Sequence, residues 1–155
     1  MAGRSEPRTK NLEPMGSQGS RRAVAVVVRR EDGRILAVRR PDGPGEELPG
    51  VWGLPATTVR SGETDDDAIA RIGRDKLGVR LERGPVVGHG EQARDGYTLR
   101  MAVYEGALAG EPRLPERGAS EGTLYDAIDW LPAASFREAA SRGSLCCAVL
   151  LERVG

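Results

Sequence analysis

The chain has 155 residues, enough for one domain with a real hydrophobic core, and its 23 basic and 23 acidic residues cancel. Balanced charge excludes a nucleic-acid or membrane surface as the default partner. The cations are 21 arginines and two lysines spread along the chain, which reads as a codon bias and not as a binding patch.

In chain order, residues 1–20 are polar and rich in Gly, Ser, Pro and Arg with no apolar run, so they are expected to be a disordered tail ahead of one domain at 21–155. They resemble neither a signal peptide nor a membrane segment. Cys146 and Cys147 are adjacent, and a bridge between them would be strained. Both features give a cytoplasmic, reducing compartment as the expectation.

Residues 23–28 are a β-branched run expected to form a buried strand, Asp32-Gly33 is a hairpin turn signal, and 35–39 returns as a second strand. Arg39 and Arg40 lead into the loop PDGPGEELPG at 41–50, which is either a site of base or sugar contacts or a plain connection. Residues 57–59 should be extended, ending at the Ser61-Gly62 turn. Next comes the best-bounded element. Thr64 is a good N-cap, Asp67 completes a capping box, and Asp65, Asp66 and Asp67 suit the positive end of the helix dipole. Gly78 is a suitable residue just past the end. One amphipathic helix is expected over 65–77. Ala68, Ile69, Ile72, Gly73, Lys76 and Leu77 share its inner sector, and Arg71 and Asp75 sit at the edge as an i, i+4 pair.

Beyond the helix, residues 79–81 and 86–91 are expected as two strands separated by Arg83-Gly84-Pro85. His89, the only histidine, has no second ligand nearby in sequence and reads as a strand-end residue. The alternation in 97–108 predicts a long strand. Residues 109–122 are loop and 125–131 a strand. Residues 135–142 form a helix stopped by Gly143, and Ser144 caps a last helix over 145–153.

The stretch from Gly50 to Val79 resembles the Nudix box. That pattern is a Gly, five residues, a Glu, seven residues, then Arg-Glu-aliphatic-any-Glu-Glu-any-Gly-aliphatic. Glu63, Arg71, Gly78 and Val79 fit it, and the lead-in Gly50-Val51-Trp52-Gly53-Leu54-Pro55 is similar to the strand before the box in many members. The box is degenerate elsewhere: its first Gly is Thr57, its helix glutamates fall on Ile72, Asp75 and Lys76, and its aliphatic position is Gly73. The resemblance extends over about residues 22–153. It implies an α/β (α+β) fold, a Nudix-like α/β/α sandwich with a mixed β-sheet.

For function the resemblance implies hydrolysis of a nucleoside diphosphate linked to another group, with magnesium or manganese held by the helix carboxylates. The catalytic positions are then Glu63, Arg71 and Asp75, and the metal ligands Asp75 and Glu63. Arg39, Arg40, Arg60 and Lys76 are the candidate substrate contacts. Glu91, Glu105 and Glu121 are the acids outside the box that could complete a ligand set. Ile72 offers no oxygen, and Lys76 puts a cation where a dication should sit, a repulsion on the order of one to several kcal/mol.

Three readings follow. In the first, the protein binds a nucleotide or other phosphorylated small molecule without efficient hydrolysis and needs no cofactor. In the second, it is a metal-dependent pyrophosphohydrolase with a reduced ligand set, using magnesium or manganese. The third is a homodimeric interaction protein without a ligand, which leaves the spacing of Glu63, Arg71 and Asp75 unexplained.

Overall fold

A computed structural model describes residues 19–40, 50–114 and 125–154. The expectations for residues 1–18, the loop 41–49, most of the 109–122 connection and Glu121 lie outside the described residues. The strands within them are β1 (Ser20–Val27), β2 (Ile35–Arg39), β3 (Trp52–Gly53), β4 (Ala56–Thr58), β5 (Leu81–Arg94), β6 (Tyr97–Leu108) and β7 (Ala127–Leu131). The α-helices are α1 (Asp65–Arg71), α2 (Arg137–Ser141) and α3 (Leu145–Val154).

β1 organises the fold because both of its faces are apolar. Ala23, Ala25 and Val27 enter one core while Val24, Val26 and Val28 enter the other. This is the period of two that a strand imposes, with both sides covered. β1 runs parallel to β6 and antiparallel to β4, and β5 lies antiparallel on the far side of β6, giving the order β4-β1-β6-β5. A second sheet has the order β3-β2-β7. α1 packs its Ala68 and Ile69 into one core, with Ile72, Leu77, Leu36 and Val38. Phe136 and the inner faces of α2 and α3 fill the other, with Ala139, Cys147 and Leu150. The result is the expected α/β/α sandwich with a mixed sheet.

Several local expectations are corrected. The Asp32-Gly33 turn forms, with Gly33 at φ +89° and the Arg34 N–H donating to Asp32 Oδ1 at 2.9 Å. The strands it joins then part after one bridge, Arg29 to Ile35. β1 already has a neighbour on each edge, so β2 must build the second sheet. Residues 81–94 are one strand, not two. The register against β6 shifts between Arg83 and Val86 and again between Val86 and Gly88, so the Gly84-Pro85 break is absorbed as a bulge. His89 consequently lies in mid-strand opposite Ala102, exposed.

The 65–77 helix is two windings. Thr64 caps it as expected, accepting from the Asp67 N–H while Asp67 accepts from the Thr64 N–H, both at 3.1 Å. From Ile72 to Leu77 the backbone is π-helical, ending at Gly78 with φ +67°. Gly73 explains how this wider turn fits: a Cβ there would stand 2.6 Å from Leu81 Cβ and from the Val79 carbonyl. The first turn is also not simply solvated. Asp65 pairs with Arg22 and accepts from the Tyr104 hydroxyl at 2.6 Å, and Asp66 pairs with Arg83, which pins the start of α1 to β1, β5 and β6.

Candidate functional site

β4 is the short edge strand of the larger sheet, and its outward groups need partners that no further strand supplies. Residues 55, 57 and 59 turn toward β1: the Pro55 carbonyl accepts from Val26 N–H and the Val59 N–H donates to the Arg22 carbonyl. Ala56 and Thr58 therefore face away from the sheet, toward the segment 71–76. Three side chains close this edge. The Tyr125 hydroxyl accepts from the Ala56 N–H at 3.1 Å and donates to the Ala56 carbonyl at 3.2 Å. Lys76 Nζ donates to the same carbonyl at 3.1 Å, and Arg71 donates to the Thr58 carbonyl at 2.8 Å.

Arg71 is the centre of the tightest cluster. Its guanidinium is buried and donates to both oxygens of Glu63, at 2.9 and 2.8 Å, as well as to Thr57 Oγ1 at 3.0 Å and the Thr58 carbonyl. A planar fork against a carboxylate is the strong form of this contact. Glu63 Oε1 also accepts from the Arg60 N–H at 2.8 Å. The hydrogen bond from Arg71, then the one from the Arg60 backbone, hold the Glu63 carboxyl down at about 2. Glu63 in turn raises Arg71 above its ordinary range. This replaces the expected Arg71 to Asp75 pair: Asp75 accepts from Arg74 Nε at 3.0 Å and acts on Arg71 as a neighbouring charge.

Thr57, which stands where the box pattern has its first Gly, lends Arg71 a hydroxyl that a glycine could not. Tyr125 is the residue that sequence reasoning missed, having been read only as the start of a strand. Burial pushes its hydroxyl up to about 12, so it stays protonated and able to donate. The signal that could have found it is general: a buried Tyr needs a partner for its hydroxyl.

The expected substrate contacts lie on different elements. Lys76 holds its ammonium beside Ala56, 5.3 Å from the centre of the Tyr125 ring, and the Arg40 charge favours the ionised form of the Tyr125 hydroxyl. Arg60 is exposed at the turn preceding Glu63. Arg39 donates to Asp126 Oδ1 at 2.8 Å and lies over the Trp52 ring.

The donors near the box do not suit a divalent metal. Ile72 is wholly buried and has no oxygen to offer. Both oxygens of Glu63 are engaged by Arg71, and Lys76 presents an ammonium to the carbonyl it faces. Asp75, with 31% of its side chain exposed, is the remaining carboxylate at the box helix positions. Glu105 pairs with Arg29 and sits opposite Val27, in register with the face that α3 covers. Glu91 pairs with Arg100 at 3.2 Å in an open groove of about 660 Å³ shared with Arg22, Asp65 and His89, at the far end of α1 from Asp75. Among the described residues no group of three or more His, Cys, Asp or Glu side chains is placed to hold a metal ion. No helix among them is long and apolar enough to cross a membrane.

Residues 19–145 match the family model of the NUDIX domain. The chain is 32% identical over 127 residues to a "MutT-like protein" of Streptomyces ambofaciens, covering 82% of this chain and 71% of that protein. It is 36% identical over 106 residues to a "Putative 8-oxo-dGTP diphosphatase 2" of Mycobacterium tuberculosis (strain ATCC 25618 / H37Rv), covering 64% and 72% respectively. Among solved structures, the MutT NUDIX hydrolase from Burkholderia pseudomallei superposes with a TM-score of 0.60 at 26% identity, covering 81% of this chain and 98% of that one. The E. coli ORF135 protein superposes at 0.68 with 22% identity, covering 92% and 93%, a likeness of fold. By its fold, its box spacing and these matches, the chain belongs to the Nudix family.

Proposed function

We propose that this Nudix protein binds a nucleoside-diphosphate-type or other phosphorylated small molecule beside β4 and does not hydrolyse it efficiently by the metal chemistry of an intact box. The observation that carries this reading is the donor set. Of the three helix positions that the box pattern gives to glutamates, one is sealed in the core, one is an ammonium, and the third is an aspartate paired with Arg74. Magnesium and manganese prefer oxygen ligands, and one aspartate is a poor anchor for either. Lys76, Arg40 and Arg60 supply positive charge for phosphate instead. The Glu63 to Arg71 fork then serves as a positioning pair that fixes the loop 57–63 to the helix. A cytoplasmic location goes with this reading.

A second reading stands on the relatives. Two proteins named putative 8-oxo-dGTP diphosphatases share 36% of aligned residues with this chain, and magnesium often completes its shell with water and substrate phosphates. In that case Asp75 would be the ligand on the helix.

The test is product release from nucleoside triphosphates, ADP-ribose, nucleotide sugars and dinucleoside polyphosphates, with magnesium and then manganese, beside Asp75→Asn. Our reading expects no turnover above that variant, with at least one compound raising the melting temperature. Metal-dependent turnover lost in Asp75→Asn would establish the reduced-ligand hydrolase.

A further inference from the structure

Of the two edges of the larger sheet, β4 is closed by Tyr125, Lys76 and Arg71, while the outer side of β5 has no strand beyond it among the described residues. β5 is protected unevenly along its length. Between Arg83 and Gly88 its register shifts twice and Pro85 withholds a donor, devices that keep an edge from pairing. From Gly88 to Arg94 it is regular, matching β6 residue for residue. Side chains alternate along this stretch. Gly88 and Gly90 lie under α3, against Val149 and Leu145, while His89 and Glu91 stand exposed on the opposite face. A regular, unpaired edge offers a row of backbone donors and acceptors to another strand.

We propose that residues 88–94 of β5 pair antiparallel with the same residues of a second copy, joining two sheets into one across a two-fold axis. The charges select the register. An axis perpendicular to the sheet sets side chains of one face opposite side chains of the same face, so it passes through a residue position. Centred on His89 it would set that residue against itself, and centred on Glu91 it would set two carboxylates face to face. Centred on Gly88 it would run Glu91 into the Pro85 bulge, and centred on Gln92 it would set Glu91 against Ala93 and shorten the ladder. Centred on Gly90, it sets His89 opposite Glu91 of the second copy, twice. An imidazole N–H can donate to that carboxylate whether the ring is neutral or charged. Glu91 already pairs with Arg100 at 3.2 Å, so each carboxylate would lie between two donors. On the other face Gly90 meets Gly90 and Gly88 meets Gln92, with no side chain at the axis. β4 is the opposite edge of the sheet, so the site beside it stays open, and the inference is independent of what that site binds.

The experiment is sedimentation velocity on the full chain at rising concentration. It compares the wild type, His89→Glu, and the exchange variant His89→Glu with Glu91→His, each checked for folding by its thermal melt. We expect a concentration-dependent dimer for the wild type. His89→Glu sets carboxylate against carboxylate twice in each dimer and should weaken it about tenfold or more. The exchange rebuilds both pairs with their sides reversed and should return the dimer toward wild-type strength. A wild type that stays monomeric at every concentration, as a segment of the same chain seated on this edge would give, would overturn the proposal. So would a dimer that His89→Glu leaves unchanged, which would place the interface elsewhere, or one that the exchange fails to restore.

Discussion

At the scale of single residues, the arrangement is decided by which charges are matched inside the protein. Arg71 is buried, and a buried guanidinium is stable only when its donors are satisfied. Glu63→Ala removes two of its four hydrogen bonds and should cost roughly 2–3 kcal/mol, read as a lower urea midpoint with an unchanged slope. The same pair sets a pH dependence. Glu63 is held near 2 in the folded chain against 4.5 for a free glutamate. Its contribution to stability is therefore fully present above about 4.5 and is lost as pH falls toward 2. Melting temperatures of the wild type should drop across that window, and Glu63→Gln should show a shallower fall. An equal fall in both would place the acid sensitivity elsewhere. Tyr125→Phe leaves the Ala56 N–H without its acceptor and should cost about 1 kcal/mol by the same denaturation measurement.

At the scale of elements, the close approaches explain both what the sequence showed and what it hid. Gly73→Ala places a Cβ 2.6 Å from a backbone carbonyl and from Leu81 Cβ, neither of which can swing aside. The cost should be about 3 kcal/mol or more, as the π-helical turn is pushed off β5. Gly90→Ala meets the ends of Leu145 and Val149 at 2.9 Å, side chains that can repack, so its cost should be smaller, about 1 kcal/mol. Comparing the two melting temperatures tests that order. The start and end of the box helix were readable because Thr64, Asp67 and Gly78 act locally. β1, β2 and β6 were readable because their alternation or β-branched runs carry burial directly. The π winding was not, since it depends on how near Gly73 comes to Leu81. Nor was the single β5, since the long β6 beside it carries the pairing across Gly84-Pro85. Arg71 was placed at the helix edge for a similar reason: its partner, Glu63, is on a loop, which a helical wheel does not display.

At the scale of the whole molecule, two cores on opposite faces of the sheets hold the helix that bears the box against the edge strand β4, and the site is what lies between them. Spacing in the sequence located that helix with its Arg71 and Lys76, and Glu63 on the loop before it, but not Tyr125, which arrives from β7's approach far along the chain. A ligand that binds only the folded state stabilises the whole domain by mass action. At about 100 times its dissociation constant the gain is ~2.7 kcal/mol, or about 5–10 °C in melting temperature. Because the binding reading uses no metal, that shift should be the same in EDTA as in magnesium.

The most direct measurement of the central claim is a crystal structure grown with manganese and ADP-ribose, with anomalous data collected at the manganese edge. The account predicts the phosphate groups beside β4 and no manganese peak at Asp75. A manganese ion ligated by Asp75 and bridging to the phosphates would contradict it.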